Sequence, residues 1–514
     1  MIKAQLHTLY DHIKTNGNKS TRALANIFKT SPSSIFRKLK KIKSRTHICG
    51  ASFFETVEGQ KWLSKLIVAV ILIFGVLCGI GGERLSLFFS LLSLTDFIGL
   101  SERSINRMTQ KVESLIHQYG LKYDDGVKST VKDKKVILGV DETFFNNLMI
   151  LVGMDLKSGF IFCEDTAENR THDTWKKKTK SWFSCFGHVT GMVSDRAKAL
   201  IKLASDTLKK PSYPDLFHAL YEISKTMGKD IGQKLKMVEV SLCDAQEKGQ
   251  NKLAKHFELQ RNSLEDRQIK YQSHLQAFSI ALHPFTVDGL KQEAKAAAQQ
   301  LDANLESIKI IGDSLNIKST HQCITKVSKQ TADMAKQIDV WWQNVESSLD
   351  GSSISHEQKL WLMYYYLPCI YWQKQITKTK SKAIREAYEK AYQSCLAKIE
   401  RHSVTKVMME TSSAKVWLNW AADLSDLFQR TSSAIEGRNG WLSQMHFCGR
   451  GITVKRLKSQ SIMHNYFLKR SDDTTACERI VGIKPTCLFE YIVKNIGELP
   501  QPRKRSKTQG SNMW

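Results

Sequence analysis

The chain has 514 residues, too many for one hydrophobic core, so about two to four domains are expected. Its 76 lysines and arginines exceed its 50 aspartates and glutamates, and the net charge of +26 favours a nucleic-acid partner over a basic protein without one. The eleven cysteines form no C-x-x-C pair, which excludes the common zinc-knuckle and thiol-redox motifs and indicates a reducing cytosol.

The first predicted unit is a helix-turn-helix in residues 20–43. Apolar residues at helical spacing indicate a first helix, and Ser31 followed by Pro32 indicates the capped start of a second. The second helix has one apolar and one cationic face, as a helix that reads the DNA major groove requires. Its predicted DNA-binding residues are Arg37, Lys38, Lys40 and Lys41.

A second helix-turn-helix candidate occupies residues 92–115, where Gly99 would make the turn and Ser101 would cap the next helix. Arg103 and Arg107 are expected on the outer surface of that helix, and we predict that both contact DNA. Basic surface helices are common, so two such units in tandem carry more weight than either alone.

Between these units lies LIVAVILIFGVLCGIGG (66–82), which contains no charged residue. A membrane span needs about 20 apolar residues. This run is shorter, and an amphipathic stretch follows it directly. We therefore expect a buried helix, with no membrane partner.

Residues 134–225 change to strands alternating with helices. The pattern predicts three strands joined as hairpins, a helix, a strand that ends at Asp195, a helix that opens at Arg196, and a last short strand. These elements predict an α/β fold with a mixed sheet, in which antiparallel strands come first and parallel ones follow.

From 226 to 425 the pattern is helical, and its many tryptophans and tyrosines near 341 and 361 favour a packed core over a surface for stacking nucleic-acid bases. PRKRSK (502–507) ends the chain with a cation cluster that either binds phosphate backbones or is a solvated terminus without a role.

Three acidic residues are the candidate site. Asp141 and Asp195 each follow an apolar strand, so they would meet at the carboxyl edge of the sheet if their strands are neighbours. Glu436 lies in SAIEGRNGWLSQMH, within a helix expected to continue from about residue 424 and to lie across the sheet. Three carboxylates in one cleft repel each other unless divalent cations hold them, and oxygen ligands suit Mg²⁺ or Mn²⁺.

The segments GVDETFF, VSDRAKALIKLA, PDLFHAL and SSAIEGRNGWLSQMH, in this order, resemble the catalytic segments of DDE transposases of bacterial insertion sequences. The resemblance covers roughly 134–225 and 425–470. It implies an RNase H-like fold of the retroviral-integrase superfamily, interrupted by an all-helical insertion.

With this resemblance the chain divides into six parts. These are a helix-turn-helix module (1–50), a second helical or helix-turn-helix module (51–127), the first part of the RNase H-like core (128–225), an all-helical insertion (226–425), the glutamate helix of the core (426–475) and a basic C-terminal tail (476–514).

The implied reaction is metal-dependent cleavage and strand transfer at a DNA backbone, with two Mg²⁺ or Mn²⁺ ions about 4 Å apart. Carried over by motif, Asp141 would bridge both ions, while Asp195 and Glu436 would each hold one. The implied partners are the DNA ends of the element, its target DNA and further copies of the chain in a homodimer or larger assembly, in a bacterial cytoplasm at the nucleoid. Two alternatives stay open: a nuclease of the same fold that does not join strands, and a decayed or domesticated DNA-binding protein.

Several residues near these motifs have predicted supporting roles. Arg438, Lys455 and Arg456 are predicted to contact DNA, and Arg438 has a surface salt bridge as its alternative. His218 is expected to be a core histidine rather than part of the cleft. Glu142 should leave the opposite face of its strand from Asp141. Asp155 is expected to stabilise the hairpin turn.

Overall fold

The computed structural model describes residues 6–17, 19–43, 51–54, 56–409, 413–449 and 451–502. These residues are mostly helical, with one mixed five-stranded sheet, which agrees with the predicted α/β class. The cation cluster predicted at the C-terminus lies almost entirely outside the described residues.

The N-terminal region is helical. Its helices are α1 (Leu6–Asn16), α2 (Thr21–Ile27), α3 (Pro32–Lys43), α4 (Ala51–Phe54), α5 (Val57–Val70), α6 (Gly82–Leu91) and α7 (Glu102–Val131). Helices α1 to α3 share a small core of Leu9, Leu24, Ala25 and Ile35. The predicted caps are confirmed: Ser31 Oγ accepts from the Ser34 amide at 3.2 Å, and Ser101 Oγ accepts from the Ser104 amide at 3.4 Å.

The apolar segment extends α5 through a π-helical stretch, Ile71–Leu77. By length and composition alone, Val57–Leu77 could cross a membrane. In this fold Leu63, Ile67 and Leu72 are buried in a core shared with α7 and the sheet, as the buried-helix prediction requires.

The sheet region contains β1 (Lys135–Phe145), β2 (Leu148–Asp155), β3 (Ile161–Ala167), α8 (His172–Phe183), β4 (His188–Ser194), α9 (Lys198–Lys202), β5 (Ser212–Pro214) and α10 (Leu216–Ile223). The strand order is β3-β2-β1-β4-β5. Strands β1, β2 and β3 pair antiparallel, whereas β4 pairs parallel with both β1 and β5. The predicted order of antiparallel strands before parallel ones is confirmed.

The central strand β1 is buried on both faces, as expected where helices cover both sides of a sheet. Val136, Leu138 and Val140 pack with the N-terminal helices, whereas Ile137 packs on the opposite face. Asp155 closes the β2–β3 turn as predicted, because its carboxylate accepts from the Ser158 amide at 2.9 Å.

The segment after the sheet contains α11 (Lys229–Glu247), α12 (Asn251–Ala281), α13 (Ala294–Ser314), α14 (Ser319–Ser348), α15 (His356–Trp361), α16 (Leu367–Lys378), α17 (Lys382–Arg401), α18 (Val404–Met409) and α19 (Ala414–Leu427). These helices enclose a core of their own, in which Trp341, Trp361 and Trp372 are buried. The prediction that these tryptophans are core residues is confirmed.

The remaining helices are α20 (Ser433–Cys448), α21 (Val454–Tyr466), α22 (Ala476–Val481) and α23 (Leu488–Asn495). The prediction of one continuous helix leading into Glu436 is wrong, because α19 ends at Leu427 and α20 begins at Ser433. Helix α20 packs on β1 and β2, where Ile435 is fully buried. A side chain at Gly139 would collide with Ile435, so glycine permits this close approach.

Candidate metal centre

Asp141 lies at the centre of the candidate site. Strand β1 continues through Asp141 to Phe145, so this aspartate lies within the strand. The prediction that Asp141 follows the end of its strand is wrong. The parallel neighbour β4 is shorter, and Val193, the last of its residues that pairs with β1, lies opposite Gly139. Asp141 therefore lies just beyond the carboxyl end of β4, where a ligand can approach the sheet.

Asp195 follows β4 directly and lies at this same edge. The next helix was predicted to open at Arg196, but α9 begins only at Lys198. The Asp195 carboxylate instead accepts from the Ala197 amide at 2.8 Å, and Arg196 between them has a left-handed backbone with φ +66°. This turn holds an exposed Asp195 beside β1.

Glu142 joins the group from the other face of β1. It accepts from Trp175 Nε1 at 3.3 Å on the α8 side, as strand alternation predicted. Nevertheless, carboxylate oxygens of Asp141, Glu142 and Asp195 lie within 4.8 Å of one another. Asp195, which follows β4 directly, is therefore within reach of acids from both faces of β1.

Glu436 approaches Asp141 from the other side, in the first turn of α20. Ligand atoms of Asp141, His218 and Glu436 lie within 4.8 Å of one another. The N-terminal position favours a carboxylate, because the unpaired amides of a first helical turn are electropositive. The sequence predicted that Glu436 approaches both aspartates, and the structure brings it close to Asp141.

His218 is half-buried at the cleft, so the prediction of an ordinary core histidine is wrong. Its Nδ1 lies 2.8 Å from Asp215, and its Nε2 lies 3.6 Å from Glu436. The hydrogen bond with Asp215 is the largest cause that raises the His218 pKa, to about 9. Ser432, at the start of α20, donates to the same buried Asp215, so one carboxylate orients both His218 and the glutamate helix.

Burial and a neighbouring negative charge both disfavour the ionised form of Asp141. Burial first, and the Glu436 charge second, raise the Asp141 pKa to about 8. Asn439 Nδ2 donates to Asp141 at 2.9 Å, whereas its buried Oδ1 has no hydrogen-bond partner among the described residues. A divalent cation would relieve the repulsion and offer a partner to a nearby oxygen.

Two ligand groups therefore share Asp141. One contains Glu142 and Asp195, and the other contains His218 and Glu436. Carboxylates with at most one imidazole suit Mg²⁺ or Mn²⁺, so the residues fit the cations expected from the sequence. The Asp215–His218 pair also resembles the carboxylate–histidine arrangement that commonly orients a metal-binding imidazole.

Arg438 does not present its guanidinium to solvent. It makes two hydrogen bonds to Glu164 of β3, at 2.6 and 2.7 Å, and both side chains are almost fully buried. Its guanidinium also lies 4.4 Å from the centre of the Trp441 ring. In this structure Arg438 fastens α20 to the sheet, which corrects the prediction of a DNA contact.

The other two cations of this region connect α21 to α7. Arg456 Nε lies 2.9 Å from Glu113, which is buried, so the guanidinium is already paired. Lys455 is exposed, and its ammonium donates to Ser114 Oγ at 3.2 Å. Arg456 is therefore half-buried in an ion pair while Lys455 is exposed, and the DNA contacts of both residues stay predictions.

The N-terminal cations are positioned differently. Arg37 and Lys40 are exposed on α3, whereas Lys38 and Lys41 are half-buried. Arg103 and Arg107 are exposed on the first turns of α7. These positions leave the predicted DNA contacts of both helices sterically possible.

Comparisons with known proteins match only part of the chain. A family model described as a family of unknown function, DUF6399, matches residues 362–508. The match contains Glu436 and α20 but neither Asp141 nor Asp195. No curated protein matches the chain.

Sequence reasoning missed Asn439 and Asp215 and assigned His218 to the core instead of the cleft. Asn439 lies three residues after Glu436, a spacing that places both on one side of a helix. Asp215 and His218 share the same spacing in PDLFHAL, directly after the last strand. Helical spacing from Glu436 identifies Asn439, and the same spacing after the last strand identifies Asp215 and His218.

Proposed function

We propose that this chain is a DDE transposase with an RNase H-like core, which cleaves and joins DNA strands by metal-dependent phosphoryl transfer. One observation carries the proposal: Asp141 belongs at once to two ligand groups, one completed by Asp195 and the other by Glu436. A carboxylate shared by two cation sites is what a two-metal phosphoryl-transfer centre requires.

The mixed sheet and the basic charge support the same proposal. Asp141 lies on the central strand and Asp195 follows its parallel neighbour, so the sheet edge presents both acids. The net charge of +26 favours DNA as the phosphodiester substrate, and α3 and α7 offer exposed cations for it.

In this proposal Asp141, Glu142 and Asp195 would hold one divalent cation, and Asp141, Glu436 and His218 would hold another. When bound, such cations polarise a phosphate and favour the deprotonated form of a water or 3′-hydroxyl nucleophile. Asn439 orients Asp141, and Asp215 fixes His218 so that Nε2 faces Glu436. His218 Nε2 can hold a proton while the carboxylates lack a cation, which limits their repulsion.

The test uses the full chain and a plasmid that carries the DNA flanking its gene. With Mg²⁺ or Mn²⁺ we expect nicking and joining, and we expect Asp141→Asn to lower both by at least about 10³-fold while DNA binding persists. Glu168→Gln removes an exposed acid outside both groups and serves as the matched control.

Full activity of Asp141→Asn, or cleavage that continues in EDTA, would overturn the proposal. Nicking without joined products would identify a nuclease of the same fold. Binding without any cleavage by the wild-type chain would identify a decayed DNA-binding protein.

A further inference from the structure

Two exposed aromatic rings lie beside the proposed centre. Phe217 precedes His218 on α10, and Tyr221 follows one helical turn later. Phe217 is 38% exposed and Tyr221 is 52% exposed, whereas the same helix buries Leu216, Ala219 and Ile223. Large exposed rings next to a polar site indicate a binding surface.

The rings are arranged for stacking. Their planes are 16° from parallel, and their centres are 6.3 Å apart. The ring of Phe217 also meets the His218 ring edge-on, with centres 5.7 Å apart. The aromatic surface therefore begins in contact with a residue of the proposed centre and extends away from it.

A cation ends this surface. Lys225 lies one further turn along the chain, is exposed, and has its ammonium 5.9 Å from the centre of the Tyr221 ring. Two aromatic faces followed by a positive charge match a nucleotide, which offers a flat base and a negative phosphate. An apolar protein partner would leave the Lys225 charge without a counterpart.

We propose that Phe217 and Tyr221 form a stacking platform for unpaired bases of a DNA strand whose phosphate lies at the metal centre, and that Lys225 contacts the adjoining backbone. This inference rests on the proposed function, because it takes DNA as the ligand. Duplex bases are already stacked and cannot use the rings, so the platform selects a locally opened strand.

The test compares binding of a single-stranded oligonucleotide and a duplex of equal length and mixed sequence. The Asp141→Asn chain serves as the background, so that strands stay intact. Stacking contributes about 1–3 kcal/mol per base, so Phe217→Ala with Tyr221→Ala should weaken single-strand binding by about 5-fold to 100-fold. Duplex affinity should change by less than about twofold.

Conservative variants and a spectroscopic signal separate stacking from folding. Phe217→Tyr and Tyr221→Phe keep the rings and should keep single-strand affinity. Leu259→Ala, on α12, removes an apolar side chain that is more exposed than either ring and should change nothing. 2-Aminopurine in the single strand should be quenched on binding to the parent chain but not to the double alanine variant.

Equal losses for single strand and duplex, or unchanged single-strand binding, would overturn the platform. A change from dimer to monomer in sedimentation of the double alanine variant without DNA would also overturn it, because the rings would then belong to an interface between copies. None of these readouts requires cleavage, so the platform can fail while metal-dependent cleavage by the wild-type chain stands.

Discussion

The two sides of the candidate metal centre are built in different ways. The Asp195 side belongs to the sheet, where β1 and β4 are neighbours and their register places both acids at one edge. The Glu436 side is brought in by α20, which follows the whole helical segment α11–α19. Pairing between neighbouring strands positions the first side, whereas packing of a distant helix positions the second.

This difference leaves the Glu436 side dependent on fastening contacts. The Arg438–Glu164 pair, the Ser432–Asp215 hydrogen bond and burial of Ile435 all hold α20 against the sheet region. The Asp195 side depends mainly on a short turn whose Arg196 side chain lies 2.8 Å from Asp333 of α14. Perturbations of the two sides should therefore have distinct consequences.

The largest expected effects come from the ligands themselves. Asp195→Asn should remove one Mn²⁺ site and Glu436→Gln the other, whereas Asp141→Asn should remove both, as measured by calorimetric stoichiometry. Each variant should lower cleavage by about 10³-fold or more. Loss of both Mn²⁺ sites in Asp195→Asn, and again in Glu436→Gln, would contradict the view that the two ligand groups are built independently.

Next comes the ion pair that fastens α20. Arg438→Leu removes the cation that pairs with the buried Glu164 carboxylate and leaves it only the hydrogen bond from Ser461, so the free energy of unfolding should fall by about 3–5 kcal/mol in urea denaturation. Combining it with Glu164→Leu should recover much of this loss. Lys65→Ala breaks the exposed Lys65–Glu490 pair and should cost less than about 1 kcal/mol. Equal losses for Arg438→Leu and Lys65→Ala would contradict the fastening role.

A smaller effect concerns pH in the absence of divalent cations. The folded chain raises the pKa of Asp141 from 3.8 to about 8 and that of His218 from 6.5 to about 9, so it binds these protons more tightly than the unfolded chain. The stability that the Asp141 proton contributes to the folded chain is therefore lost as pH rises from 3.8 to about 8. The contribution of the His218 proton is lost as pH rises from 6.5 to about 9. The melting temperature should therefore fall between about pH 6 and pH 9.

Mg²⁺ should oppose this fall, because binding displaces both protons. At roughly a hundredfold excess over its Kd it should add about 2–3 kcal/mol, and the added stability should be greatest near the alkaline end. A double variant, Asp141→Asn with His218→Gln, should lack both the fall of the melting temperature with pH and the stabilisation by Mg²⁺. A wild-type melting temperature that rises with pH in EDTA would contradict the electrostatics of the Glu436 side.

The smallest effect tests the tether on the Asp195 side. Asp333→Ala frees Arg196 and should lower the free energy of unfolding by about 1 kcal/mol or less, because the pair is partly exposed. Cleavage should fall by about 10-fold through misplacement of Asp195. Lys336→Ala removes the other cation paired with Asp333 and is the matched control. If both variants cleave equally, the Arg196 contact does not position Asp195.

Local sequence patterns predict this fold better than contacts between distant segments do. The order of strands and helices over 134–225 is predicted well, since β-branched runs and turn residues are local signals. Strand ends were predicted less well: β1 runs past Asp141, and α9 starts after Arg196. Burial of Arg438 was not predicted because its partner Glu164 comes from a distant segment, and the same holds for the ion pair between Arg456 and Glu113.

By itself the sequence determined the alternation of strands and helices, the caps at Ser31 and Ser101, and the acids available for chemistry, because these follow from spacing and residue type. Only the tertiary structure decided that Asp141 is shared by two ligand groups, that Asp215 aims His218 at Glu436, and that Arg438 is buried. The physical reason is distance along the chain, since contacts between remote segments depend on how whole helices pack on a sheet.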